Sequence, residues 1–136
     1  MRYLAVDHGD KRTGLALCDK SETFASPLKV LTGQAGLINE ISEIIQNEKV
    51  DAVVIGLPLN MDDTEGPRAK RVRKFASELE KQIDVEVLFF DERLSSFDAE
   101  QKLAGLDLTR KKKKKHLDAV AAASILQSFL DHKNQR

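Results

Sequence analysis

Tyr3-Leu4-Ala5-Val6-Asp7-His8-Gly9-Asp10-Lys11-Arg12-Thr13-Gly14-Leu15-Ala16-Leu17-Cys18 is the stretch from which the fold is read. Two short apolar runs, Tyr3–Asp7 and Thr13–Cys18, flank a polar, turn-prone segment, His8–Arg12. That is the pattern of an antiparallel hairpin. Ser26–Leu31 reads as a third strand, with Pro27 near its start, where a missing N–H is tolerated. Three short strands in succession predict an antiparallel meander.

Beyond the meander the period changes. Leu37, Ile38, Ile41, Ile44 and Ile45 recur at helical spacing. Asp51–Leu57 is a nearly continuous apolar run ending at Pro58, as in a buried parallel strand. Val72, Phe75, Ala76, Leu79 and Ile83 mark a second helix, entered after Gly66-Pro67. Val85–Phe90 reads as a fifth strand, Phe97–Leu106 as a short helix, and Leu117, Val120, Ala121, Ser124, Ile125 and Phe129 as a last helix. The order βββ-α-β-α-β-α predicts an α/β fold, a mixed five-stranded sheet flanked by helices.

The chain has 136 residues, which fits one domain spanning 1–136, with a basic loop at about 107–116 and a short C-terminal tail at 132–136. Lys plus Arg and Asp plus Glu are 22 each, so net charge favours neither nucleic acid nor an anionic membrane, and the distribution of charge must decide. Apolar runs fall well short of the roughly 18 residues of a membrane span. The first ten residues hold only Tyr3–Val6 as an apolar run, too short for a signal-peptide core. Cys18 is the single cysteine, which excludes an internal disulfide and a Cys-rich zinc site. A cytoplasmic protein without membrane contact is expected.

Three carboxylates carry the candidate chemistry. Asp7 closes the first strand, Glu92 follows the last strand, and Asp118 shares a helical stripe with Ala122, Ile125 and Phe129. Ligands of open α/β sheets gather outside the carboxyl ends of the strands. If strands one, four and five lie side by side, Asp7, the Gly56-Leu57-Pro58 turn and Glu92 meet there. An Asp beside Ile and Phe is costly unless paired. It either joins the other two carboxylates or serves as a helix N-terminal acid favoured by the macrodipole. Three clustered carboxylates repel one another, and a hard divalent cation relieves the repulsion. Oxygen donors without cysteine or a His pair suit Mg²⁺ or Mn²⁺. Two such ions, roughly 4 Å apart, activate water and stabilise the leaving oxygen of a phosphodiester.

The candidate nucleic-acid contacts lie around these acids. Lys11 and Arg12 belong to the hairpin tip, Asn60 to the loop after Gly56-Leu57-Pro58, and Arg68 to the start of the second helix, where a phosphate is readily held. Arg93 and Ser95 follow Glu92, and Ser95 could equally cap a helix. Arg110, Lys111, Lys112, Lys113, Lys114 and Lys115 form a run of six cations, read as a solvated loop or frayed helix start that neutralises phosphates without reading bases. The three histidines lack metal-ligand spacing.

Four segments in order, D-H-G-D-K-R-T-G-L-A at 7–16, G-L-P-L-N-M-D-D-T-E-G-P-R-A at 56–69, D-E-R-L-S-S at 91–96 and L-D-A-V-A-A-A-S-I-L at 117–126, resemble the YqgF-like (RuvX-like) family over roughly residues 2–131. That family is described as pre-16S rRNA nucleases and, under an older name, as Holliday junction resolvases. The resemblance implies a ribonuclease H-like fold and metal-dependent phosphodiester hydrolysis with Asp7, Glu92 and Asp118 as catalytic metal ligands. It implies trimming of the 5′ end of precursor 16S rRNA in ribosome biogenesis, with the pre-30S particle as a partner. One departure is Asp63, where a glycine is expected; a turn needing positive φ would suit Asp less well.

Three rival readings stand beside it. The chain resolves four-way DNA junctions, as the older name implies; it binds RNA as an assembly module without hydrolysis; or it is an ATP-using phosphotransferase of the actin-like kind. The last needs two lobes, and 136 residues supply one. A monomer or weak dimer is expected.

Overall fold

A computed structural model describes residues 1–95 and 110–134, and of residues 110–117 only the backbone. The elements are β1 (Tyr3–His8), β2 (Arg12–Cys18), β3 (Ala25–Thr32), α1 (Leu37–Asn47), β4 (Ala52–Leu57), α2 (Pro67–Glu80), β5 (Glu86–Asp91), a 3₁₀ turn (Glu92–Leu94) and α3 (Arg110–Asn134). The strands form one sheet in the order β3-β2-β1-β4-β5. β1–β2 and β2–β3 are antiparallel, while β1–β4 and β4–β5 are parallel. The meander is therefore present, and β1, β4 and β5 are neighbours as the site requires.

The sheet's two faces are packed differently. Alternate β1 residues Leu4 and Val6 join Leu15, Leu17, Val53 and Ile55 under the apolar sides of α1 and α2. The intervening residues Tyr3 and Ala5 join Ala16, Ala52, Val54 and Phe90 under Ala122, Ile125, Leu126 and Leu130 of α3. All six residues of β4, Ala52–Leu57, are buried, because β4 is central and covered on both faces.

Several boundaries differ from the sequence reading. α2 stops at Glu80, so Ile83 packs against the core from a loop. Of the two forms read for the basic run, the helix start is the one observed: Arg110–His116 opens α3, where a loop was placed at about 107–116. Lys and Arg are good helix formers, and repulsion between neighbouring cations is weaker than the packing that anchors the helix downstream. The expected tail at 132–136 is helical through Asn134. Lys133 Nζ donates to Glu22 Oε1 at 2.6 Å, and Asn134 Nδ2 to the Glu22 carbonyl at 3.3 Å, tying that end down. The helix expected over Phe97–Leu106 lies outside the described residues.

Candidate active site

Two glycines bring the predicted acids close. Asp7 stands opposite Gly14 in the β1–β2 ladder. A Cβ on Gly14 would lie 2.1 Å from the carbonyl oxygen of Asp118, so the backbone of α3 rests on this glycine. That contact sets Asp118 beside the end of β1. At the end of β4, a Cβ on Gly56 would lie 2.8 Å from Glu92 Oε1 and 2.9 Å from Ile125 Cδ1. The bare backbone of β4 is thus the floor on which Glu92 lies. Glu92 itself is presented by the 3₁₀ turn, whose start is capped by Asp91 accepting from the Arg93 N–H at 2.9 Å.

These elements enclose a cavity of about 260 Å³ lined by Asp7, Arg68, Glu92, Ser95, Ala121 and Ile125. Arg68 reaches in from the first turn of α2. Its two terminal nitrogens stand 3.9 Å from Asp7 Oδ1 and 3.9 Å from Glu92 Oε2. Burial pushes the Asp7 carboxyl up to about 7, the Glu92 carboxylate pushes in the same direction, Arg68 opposes both, and Asp118 adds a smaller repulsion.

The third acid is placed at the edge of this pair. Arg12 Nε donates to Asp118 Oδ2 at 2.5 Å, with both side chains about one-third exposed. The three acids do not form one ion-holding cluster among the described residues. Arginines face the acids: Arg68 stands beside Asp7 and Glu92, and Arg12 pairs with Asp118. The donors nonetheless fit a hard cation. They are all carboxylate oxygens, and Asp7 and Glu92 line one cavity in which burial and then the charge of Glu92 push the Asp7 carboxyl up to about 7.

The predicted phosphate-binding residues are distributed unevenly. Arg68 lines the cavity; Ser95 lines it too and shares a 3.2 Å hydrogen bond with Ser124. Lys11 is exposed at the hairpin tip. Asn60 is engaged within its own loop, with Nδ2 donating to Thr64 Oγ1 at 3.0 Å and its carbonyl accepting from Arg93 at 3.0 Å. Arg93 also donates to both Asp91 carboxylate oxygens and to Asp63 Oδ1 at 2.8 Å. The side chains of Arg110–Lys115 lie outside the described residues. Asp63 has φ +70°, so the turn does need the left-handed conformation, and Asp supplies it while pairing with Arg93.

Long-range contacts escaped the sequence reading. The Gln34 side-chain amide holds the hairpin: its Nε2 donates to the carbonyls of Gly9 and Asp10, each at 3.0 Å. His8, on the face opposite Asp7, stacks on Phe75 at 4.3 Å and meets Gln34 Oε1 at 3.1 Å, so it braces the strand that carries Asp7. These partners lie 24–26 residues from Gln34 along the chain, and no local spacing signals them.

The model of the family described as "RuvX: Holliday junction resolvase" matches residues 1–132. A Maridesulfovibrio salexigens protein named "Putative pre-16S rRNA nuclease" is 44% identical over 132 residues, covering 96% of this chain and 98% of its own. One of the same name from Carboxydothermus hydrogenoformans is 42% identical, covering 99% of both. Among solved structures, Thermus thermophilus RuvC bound to a Holliday junction aligns with TM-score 0.58 at 15% identity, over 98% of this chain and 95% of that one. The Fowlpox virus resolvase bound to junction DNA aligns with TM-score 0.58 at 12% identity, over 99% and 100%. At such identities the likeness is one of fold: the sheet and helices form the ribonuclease H-like architecture of those resolvases.

Proposed function

The chain belongs to the RuvX family, and on that premise we propose that it is a divalent-metal-dependent endonuclease acting on the 5′ end of precursor 16S rRNA in the cytoplasm. The observation that carries the reading is the Asp7–Glu92 pair in one cavity with Arg68 between them. Asp7, Glu92 and Asp118 would hold Mg²⁺ or Mn²⁺, which when bound supplies an activated water and stabilises the leaving oxygen.

The chain's own groups do the rest. Asp7 carries a proton that it loses near neutral pH, so the site gains negative charge where cations bind. Arg68, half exposed and held loosely at 3.9 Å by two acids, is free to turn to a phosphate. Arg12 fixes the Asp118 carboxylate against the hairpin. Ser95 offers a hydroxyl at the cavity wall. The pre-16S substrate is drawn from the names of relatives that are 41–44% identical and match the chain end to end.

The family's description favours a second reading, cleavage of four-way DNA junctions. A cleavage assay with Mn²⁺ and Mg²⁺ separates the two, with a 5′ precursor 16S RNA fragment and a four-way junction incubated in parallel and Asp7→Asn as control. Cutting of the RNA by wild type and not by the variant is expected. Cutting of the junction alone would replace the first reading by the second. Binding of the RNA without cutting would leave an assembly module.

A further inference from the structure

Helix α2 carries its charges against its own dipole. Residues 67–77, Pro-Arg-Ala-Lys-Arg-Val-Arg-Lys-Phe-Ala-Ser, hold five cations and no acid, in a protein whose net charge is zero. The first turn has no acidic residue and the last turn no basic one. A helix stabilised for its own sake has the reverse arrangement, because the macrodipole makes the N-terminus positive. A merely solvated face also interleaves opposite charges at i, i+4. Here Lys70 and Lys74 are i, i+4, and Lys70–Arg73 and Arg71–Lys74 are i, i+3, all pairs of like sign; the first opposite-sign i, i+4 pair, Lys74–Glu78, comes only in the second half of the helix.

Placement gives this excess a direction. Ala69, Val72, Phe75, Ala76 and Leu79 are buried against the sheet, which leaves Lys70, Arg71, Arg73 and Lys74 exposed. Arg68, one position before Ala69, enters the cavity between Asp7 and Glu92. The cationic face therefore begins at the candidate active site and leads away from it. Its flanks are partly engaged: Arg71 pairs with Asp10 at 3.1 Å, and Arg73 with Glu65 at 2.6 Å while lying over the Phe89 ring. Lys70 and Lys74, in the middle, have no carboxylate within 4.0 Å among the described residues; they stand one turn apart, about 6 Å along the axis.

We propose that the exposed first half of α2, centred on Lys70 and Lys74, is a track for the RNA backbone leading out of the candidate active site. The proposal rests on the nuclease reading and adds how the strand beyond the cut is held. Phe75 is buried and Phe89 lies beneath Arg73, so this half of the helix presents no free aromatic ring for base stacking. The track contacts phosphates and reads no sequence.

The test compares Lys70→Gln/Lys74→Gln with Lys20→Gln/Lys29→Gln, which removes the same charge from exposed positions at the β2–β3 turn and on β3. Binding of a labelled 5′ precursor 16S RNA fragment is titrated against salt without divalent cation, and cleavage is then measured with Mn²⁺. The α2 pair should weaken binding roughly tenfold at low salt and reduce the slope of log K against log salt by about 1.4, two phosphates on a single strand. KM should rise by a similar factor while kcat stays within about twofold. The β3 pair should keep the wild-type slope. Equal losses in both variants would reduce the effect to net charge and overturn the track. So would wild-type affinity in the α2 variant, while leaving the nuclease reading intact. A loss seen with a four-way DNA junction and not with RNA would overturn the assigned occupant. Wild type that neither binds nor cuts RNA would overturn the reading beneath it.

Discussion

Asp91 and Glu92 are neighbours in the chain but stand in opposite electrostatic surroundings. Asp91 is gripped by the guanidinium of Arg93 through both carboxylate oxygens, and this holds its carboxyl below the usual carboxylate range. Arg93 is matched a second time by Asp63. That knot is closed by hydrogen bonds of 2.7–3.0 Å. Glu92 points the other way, into a cavity where Asp7 already stands and Arg68 reaches neither acid closer than 3.9 Å. There burial, and after it the repulsion of Glu92, raises the Asp7 carboxyl to about 7. The contrast separates an ion-pair knot that holds two loops together from a buried pair of acids whose arginine stands 3.9 Å from each.

The largest effect expected from breaking this contrast is on cleavage. Glu92→Gln should slow cutting of the RNA about a thousandfold, roughly 4 kcal/mol of lost transition-state stabilisation, whereas Asp91→Asn should slow it less than about threefold. Next is the geometry that delivers Asp118. Gly14→Ala places a Cβ against the Asp118 carbonyl, so α3 must lift. A loss of about 3 kcal/mol in urea unfolding is expected, with cleavage reduced in the fraction still folded.

A smaller effect comes from pH. The Asp7 carboxyl titrates at about 7 in the folded chain, above its ordinary 3.8. The folded protein thus binds the proton more tightly than the unfolded one. The resulting stability is complete below about pH 4 and is lost as pH rises through 7. Without metal, the wild-type Tm should fall between pH 5 and pH 8 by roughly 5–10 °C through this group, about 2–4 kcal/mol. Asp7→Asn should flatten that fall and melt higher than wild type at pH 8. The smallest effect is at the satisfied knot. Asp63→Gly removes one exposed ion pair but relieves a positive φ, and Tm should change by less than about 2 °C.

Much of the architecture was legible because burial imposes a period. The unbroken Asp51–Leu57 run becomes the doubly covered β4, and Leu37, Ile41 and Ile45 become the buried stripe of α1. Asp7 and Glu92 were legible by position, since both end strands that the parallel order brings to one rim. Local pattern could not show which acids find arginines. Arg12 and Asp118 are 106 residues apart, and Arg93 and Asp63 are 30 apart. Hence Arg12 and Arg93, read as phosphate contacts, are engaged by carboxylates. The basic run stayed open between loop and helix start, because like charges argue against helix locally while its helical form depends on the packing of α3 downstream.

The direct test of the contrast is a carbon-detected NMR titration of the side-chain carboxyls in metal-free protein, wild type and Glu92→Gln. Asp7 should titrate with an apparent midpoint near 7 in wild type and fall toward the ordinary range when Glu92 loses its charge, while Asp91 titrates below that range in both. An Asp7 midpoint near 3.8 that ignores the Glu92 substitution would contradict the account, because the two acids would then not share one site.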